Sequence, residues 1–119
     1  MKADDRGAGF DGDALLERLG GDRPLARELI RAFLEESPTL LAELRSAVPA
    51  RNAPEVVRTA HSLRGALLQL SAGAGAAHAE QLESSASRGD LDACPGLQRA
   101  LEAEIARLER TLHAMLDEL

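Results

Sequence analysis

Aromatic side chains are almost missing from this 119-residue chain: Phe10 and Phe33 are the only two, and there is no tyrosine or tryptophan. Base-stacking platforms therefore have nothing to be built from. Cations are outnumbered too, with 14 Lys and Arg against 20 Asp and Glu and a net charge of −6. Affinity for a phosphate backbone rests on clustered Lys and Arg, so nucleic acid is not expected as a partner. Cysteine occurs once, at Cys94, which excludes an internal disulfide and leaves no Cys/His cluster with zinc-ligand spacing. No apolar run approaches the roughly 20 residues needed to span a bilayer, and the opening "MKADDRGAGF" has no apolar signal-peptide core. The expectation is a soluble, cytoplasmic protein with no metal site and no membrane partner.

What is abundant is Ala, Leu, Glu and Arg, all good helix formers, while β-branched residues are few. The fold class expected is all-α. A chain of this length forms one domain and can bury about two thirds of the surface its unfolded form exposes.

Punctuation along the chain divides it into an N-terminal stretch and five helical segments. Residues 1–9 are polar and contain glycine, and are expected to be a flexible N-terminus, with the folded domain over 10–119. A short helix is predicted from about Asp11 to Leu19, stopped by Gly20 and Gly21. Asp22 can cap the next helix with Pro24 in its first turn, and Leu25, Leu29, Phe33, Leu40, Leu44 and Val48 recur at helical spacing up to the "VPARN" break. Pro38 falls inside that pattern, where a kink rather than a stop is expected because "TLLAEL" resumes it. Asn52 followed by Glu55 resembles a capping box, with Pro54 in the first turn of a helix reaching about Leu70. A fourth helix is predicted over about Ala74–Ser87, closed by "RGD". In the last, Leu97, Leu101, Ile105, Leu108, Leu112, Met115 and Leu119 alternate steps of four and three, an a/d stripe. Long amphipathic helices with short connections predict an antiparallel four-helix bundle with an additional short N-terminal helix.

The third helix carries the unusual feature, in "AHSLRGALLQL" at 60–70. At about 100° per residue, Val56, Thr59, Leu63, Ala66, Leu67 and Leu70 share one side, the natural core face. His61 points the opposite way, among Val57, Arg58, Arg64, Gly65 and Leu68. An exposed imidazole, with an ordinary pKa of about 6.5, is largely neutral at pH 7 and has one nitrogen lone pair available as a nucleophile. Arg58 and Arg64 flank it within reach of a phosphoryl group placed on that nitrogen. Gly65 weakens the helix by about 1 kcal/mol relative to Ala, and the absence of a side chain beside the imidazole lets another protein's active site come close enough for in-line transfer. Val57 and Leu68, apolar where solvent is expected, supply a docking patch. The bland alternative is a solvated helix face with an incidental histidine, and His–x–x–Arg–Gly is a weak pattern by itself.

The stretch "AHSLRGALLQLSA" resembles the signature of histidine-containing phosphotransfer (Hpt) domains, approximately A-H-x-L-K-G-x-x-x-x-[LIV]-G-A. The similarity extends through "FDGDALLERLGGDRPLARELIRAFLEESPTLLAELRSAV" before it and "AEQLESSASRGD" after it, over roughly residues 10–118. By this resemblance His61 matches the phosphorylated histidine, Arg64 takes the place of the usual lysine, and Gly65 matches the glycine that opens the face. Gln69 sits where the family is often polar, and Leu63 and Leu70 match its core positions. Ser71 replaces the usual glycine before Ala72. The resemblance implies a bundle with an extra N-terminal helix and phosphoryl exchange with the aspartate of a response-regulator receiver domain, with a hybrid sensor histidine kinase as a further partner. It implies a phosphohistidine carrier rather than an enzyme: no kinase activity of its own, no cofactor, and magnesium held by the receiver domain.

Two other classes compete. In the phosphoacceptor hairpin of a sensor kinase the histidine is usually followed by an acidic residue and, a few positions on, by proline; Ser62 and Ala66 hold those places here, and no ATP-binding segment is present. A non-catalytic helical adaptor or dimerisation module would use the same face without phosphorylation. His78 and His113 lack a neighbouring glycine and paired arginines and are read as structural or surface residues, and Cys94 as a helix-start residue. Glu35, Glu36, Glu102, Glu104 and Glu109 are read as solvated surface.

Overall fold

The structure, a computed structural model, describes residues 10–119. The expected flexible segment 1–9 lies outside them. Five helices follow one another: α1 Gly12–Arg18, α2 Arg23–Ala47, α3 Ala53–Gln69, α4 Gly73–Ser87 and α5 Cys94–Glu118.

Local chemistry sets most of the boundaries. The Asp11 carboxylate accepts from the backbone N–H groups of Asp13 (3.0 Å) and Ala14 (3.3 Å), satisfying donors at the start of α1 that have no partner within the helix. Gly20 and Gly21 follow with φ of 69° and 80°, a conformation that β-carbons oppose. Asp22 caps α2 through the Leu25 N–H at 3.0 Å, with Pro24 in the first turn. The helix continues through Pro38 without stopping. Asn52 caps α3 by accepting from the Glu55 N–H at 3.3 Å. The reciprocal half of the capping box does not form: the Glu55 carboxylate is taken by Arg58, and the Asn52 N–H donates to the Ala47 carbonyl instead.

The helices close into a ring in which α2 packs on α3, α3 on α4, α4 on α5, and α5 back on α2. Long-range pairs give the directions. Along α2 and α5, Arg27 meets Leu119, Ser37 meets Glu109 and Arg45 meets Glu102, so one number falls as the other rises. The same reversal holds where His61 and Arg64 of α3 meet Glu83 and Glu80 of α4. The bundle is therefore antiparallel in these pairs, as connections of a few residues require. Leu15 of α1, Ile30 and Leu44 of α2, Leu63 and Leu67 of α3, Leu82 of α4, and Leu101, Ile105 and Leu112 of α5 form the fully buried centre. Each such side chain contributes about 1.5–3 kcal/mol on leaving water.

Some expectations shift. Leu25, counted among the inward positions of α2, is exposed at the helix start, while Ala60 joins the buried face of α3 and Ala66 is only half-buried. Val57 is half-buried and packs against the core, because α3 is flanked by both α2 and α4 and its shoulder positions are covered. Among the glutamates expected on the solvated surface, Glu104 is 6 % exposed and paired with Arg107, Glu102 takes a 2.8 Å ion pair from Arg45, and Glu109 accepts from Ser37 at 3.1 Å. Glu102 and Glu109 line the seam where α5 meets α2, whereas Glu104 is paired within α5.

The end of α3 is tethered to α1. Ser71 adopts φ 58°, a left-handed conformation that costs a non-glycine residue about 1–2 kcal/mol. Arg18 donates through Nε to the Ser71 hydroxyl at 2.8 Å and through Nη2 to the Gln69 carbonyl, giving a free helix-terminal carbonyl a partner. The short N-terminal helix thus fixes the exit of the helix that carries His61.

Candidate functional site

His61 lies at the midpoint of α3, one residue after the buried pair Thr59 and Ala60 and two before buried Leu63. Its side chain is 62 % exposed. The helical period that buries those neighbours leaves the imidazole on the outer side.

The ring is nevertheless held. Nδ1 lies 3.0 Å from Oε2 of Glu83, which projects from α4. A carboxylate can only accept, so this contact places the proton on Nδ1 and, in the neutral ring, the lone pair on Nε2. Nε2 has no hydrogen-bond partner among the described residues. Arg64 Nη2 is 3.3 Å from the same Nδ1; with the proton there, the guanidinium cannot donate to it, and the arginine pairs with the glutamates. Its Nε is 3.8 Å from Glu83 Oε1 and its Nη1 3.9 Å from Glu80 Oε2. Glu83 Oε1 is buried without a hydrogen bond, so the Arg64 charge is its nearest compensation. One carboxylate therefore orients the imidazole with one oxygen and faces a cation with the other.

Gly65 stands one turn beyond His61 and is open: a β-carbon built there meets nothing within 4 Å. Helical side chains lean toward the N-terminus of their helix, so any side chain at 65 would lie over the turn that carries the imidazole. No packing contact within the domain calls for glycine at this position.

The remaining predicted site residues divide. Leu68 is 55 % exposed and is the large apolar side chain of this face, whereas the half-buried Val57 contributes little to an exposed patch. Gln69 is exposed, with its backbone carbonyl held by Arg18. Arg58 does not turn toward His61. Its guanidinium donates to Glu55 (2.8 Å) and to Glu43 of α2 (2.9 Å), and these carboxylates hold it above the ordinary arginine range while Arg58 holds the Glu55 carboxyl below the usual one. Reading α3 alone missed both Glu83 and Glu43. Each comes from a different helix, 22 and 15 residues from its partner, and no spacing within α3 signals them.

Elsewhere, His78 is half-buried, His113 is exposed, and Cys94 is buried at the first turn of α5. Among the described residues, no group of three or more His, Cys, Asp or Glu is arranged to hold a metal, and no helix is long and apolar enough to cross a membrane.

The family model of the Hpt domain matches residues 28–111, which includes the whole of α3 and α4 with His61 and Glu83. The chain belongs to the Hpt domain family. Its fold matches the crystal structure of histidine-containing phosphotransfer protein B (HptB) from Pseudomonas aeruginosa PAO1, with a TM-score of 0.85 and 26 % identity, over 93 % of this chain and 96 % of that one. No curated protein sequence matches it. As an Hpt domain it is an all-α histidine phosphotransfer module of phosphorelays, a class of phosphocarriers rather than kinases that works with receiver domains.

Proposed function

We propose that His61 is the phosphoryl-carrying residue of this Hpt domain, accepting the group from a receiver-domain aspartate and passing it to, or back from, a response regulator. The observation that carries this reading is the exposed imidazole whose Nδ1 is occupied by Glu83 while Nε2 is free beside the open Gly65. The Nε2 lone pair attacks phosphorus as the aspartyl O–P bond breaks, and the electron pair of that bond returns to the aspartate carboxylate. Arg64, with its side chain 31 % exposed, stands beside the ring as the charge that a phosphoryl group on His61 would meet. Gly65 leaves room for the partner's acidic site, and Leu68 with Gln69 forms the contact surface next to it. Arg58, clamped by Glu43 and Glu55, acts at the rim of that surface rather than on the phosphoryl group. The domain holds no cofactor of its own in this reading; magnesium enters with the receiver domain.

The test is incubation with a phosphorylated receiver domain and magnesium, beside His61→Gln. Acid-labile label on wild type and none on the variant is the expected result. A folded wild-type domain that takes no label from any of several phosphorylated receivers would instead leave an adaptor that binds without chemistry.

A further inference from the structure

We infer that Glu83 is a positioning residue for the loaded state, keeping a proton on Nδ1 of phosphorylated His61 so that the phosphoryl group departs from a neutral imidazole. This rests on the reading of His61 as carrier and adds to it the residue that sets how readily the group is released.

The inference follows from proton and electron balance. When Nε2 forms its bond to phosphorus, the ring has given up its free lone pair while still carrying the Nδ1 proton, so it becomes cationic. Glu83 Oε2, 3.0 Å from Nδ1, is the carboxylate that offsets that charge. On release, an acceptor carboxylate oxygen bonds to phosphorus, the N–P bond breaks, and its electron pair returns to Nε2. The Nδ1 proton never leaves, and neutral imidazole is regenerated with no proton gained or lost. A ring that had lost its Nδ1 proton would have to leave as imidazolate, a far poorer leaving group. Glu83 thus holds the phosphoryl group in its transferable form at pH values where an unassisted phosphoimidazole would have lost the proton and become inert.

Other charges around the ring do not supply this effect. On α3, Arg64 opposes a cationic ring, and Arg58 is neutralised by Glu55 and Glu43. From α4, Glu80 faces Arg64 at 3.9 Å, while Glu83 alone hydrogen-bonds the imidazole. The Glu83 side chain is 20 % exposed and its second oxygen is buried, so its charge is less screened than that of Glu80, which is mostly exposed.

The test loads the whole protein with potassium phosphoramidate, a small-molecule donor that needs no partner, and follows the His61 phosphorus resonance, assigned by its loss in His61→Gln. Loss of phosphate is timed from neutral to alkaline pH for wild type, Glu83→Gln and Glu80→Gln. In Glu83→Gln, which keeps an acceptor but not the charge, the pH at which the phosphohistidine becomes long-lived is expected to fall by about one unit, so that on this limb it survives roughly tenfold longer than in wild type. Glu80→Gln is expected to leave the limb in place. Loaded proteins whose limbs coincide for wild type and Glu83→Gln, or a Glu80→Gln shift as large as that of Glu83→Gln, would overturn the role of Glu83 while leaving His61 as carrier. A wild-type domain with no His61 resonance would overturn the carrier reading itself, and this inference with it.

Discussion

The last helix and the third are built from the same residue types, yet the apolar stripe of one keeps to the helical period throughout and the outer face of the other breaks several local rules. Along α5, Leu101, Ile105, Leu108 and Leu112 are all buried, and Leu97 and Met115 pack against the same core at either end. Apart from the buried Glu104, which Arg107 pairs, nothing on that helix needs an explanation beyond packing. The outer face of α3 carries a mid-helix glycine with empty space beside it, a large exposed leucine and an imidazole reached by a carboxylate from another helix. Departures from local consistency that bring no packing gain are expected at functional surfaces, and they support the reading of this face as the carrier site. Two glycines make the same point at closer range. A β-carbon on Gly75 of α4 would come within 3.0 Å of Leu67 Cδ2, so that glycine lets α3 and α4 approach, whereas Gly65 makes room for nothing inside the domain.

The contrast can be broken in several places. The largest expected effect on stability is on the side that obeys the rules: Leu101→Ala, at a fully buried position, should cost about 2–5 kcal/mol in chemical denaturation while the folded fraction still accepts phosphoryl. A loss of transfer without loss of stability would mean α5 has a part in the reaction. Gly65→Leu should do the opposite, keeping the fold while lowering the rate of transfer from a phosphorylated receiver about tenfold or more, because its side chain covers the turn bearing His61. Transfer at the wild-type rate would remove the access role of Gly65. Smaller still is a comparison of alanines. Gly65→Ala should raise stability by about 0.5–1 kcal/mol through helix propensity, and Gly75→Ala should not, since Leu67 must yield to the new methyl group. Equal gains at both positions would erase the distinction drawn between them.

The smallest effect is electrostatic, at the rim. The Glu55 carboxyl titrates lower in the folded protein than in the unfolded chain because Arg58 donates to its charged form. Its contribution to stability is therefore complete above the unfolded value of about 4.3 and is lost as pH falls through the folded value. Denaturation midpoints of wild type and Glu55→Gln should differ slightly at neutral pH and converge in acid. A difference that persists at low pH would assign the effect to packing rather than to the ion pair.

Much of this molecule was determined by sequence alone, because the interactions responsible are local. Side chains three residues from the amides they cap set the starts of α1, α2 and α3, and glycines with positive φ end α1 and follow α4. The helical period separates Leu63 and Leu67 from His61 without reference to any other helix, so the exposure of the imidazole was legible. The open space at Gly65 followed from the same period. Tertiary structure decided what the exposed side chains touch. Glu83 reaches His61 only because α4 runs antiparallel to α3 at close distance, and Glu43 draws Arg58 aside only because α2 lies against the other flank. Val57, apolar on the outer side by periodicity, is half-covered for the same reason. A hydrogen bond between residues 22 positions apart depends on how two helices are rotated and staggered against each other, which the buried leucines of all four fix together. The face was thus written in one helix, and the chemistry of its imidazole was completed by the packing of its neighbour.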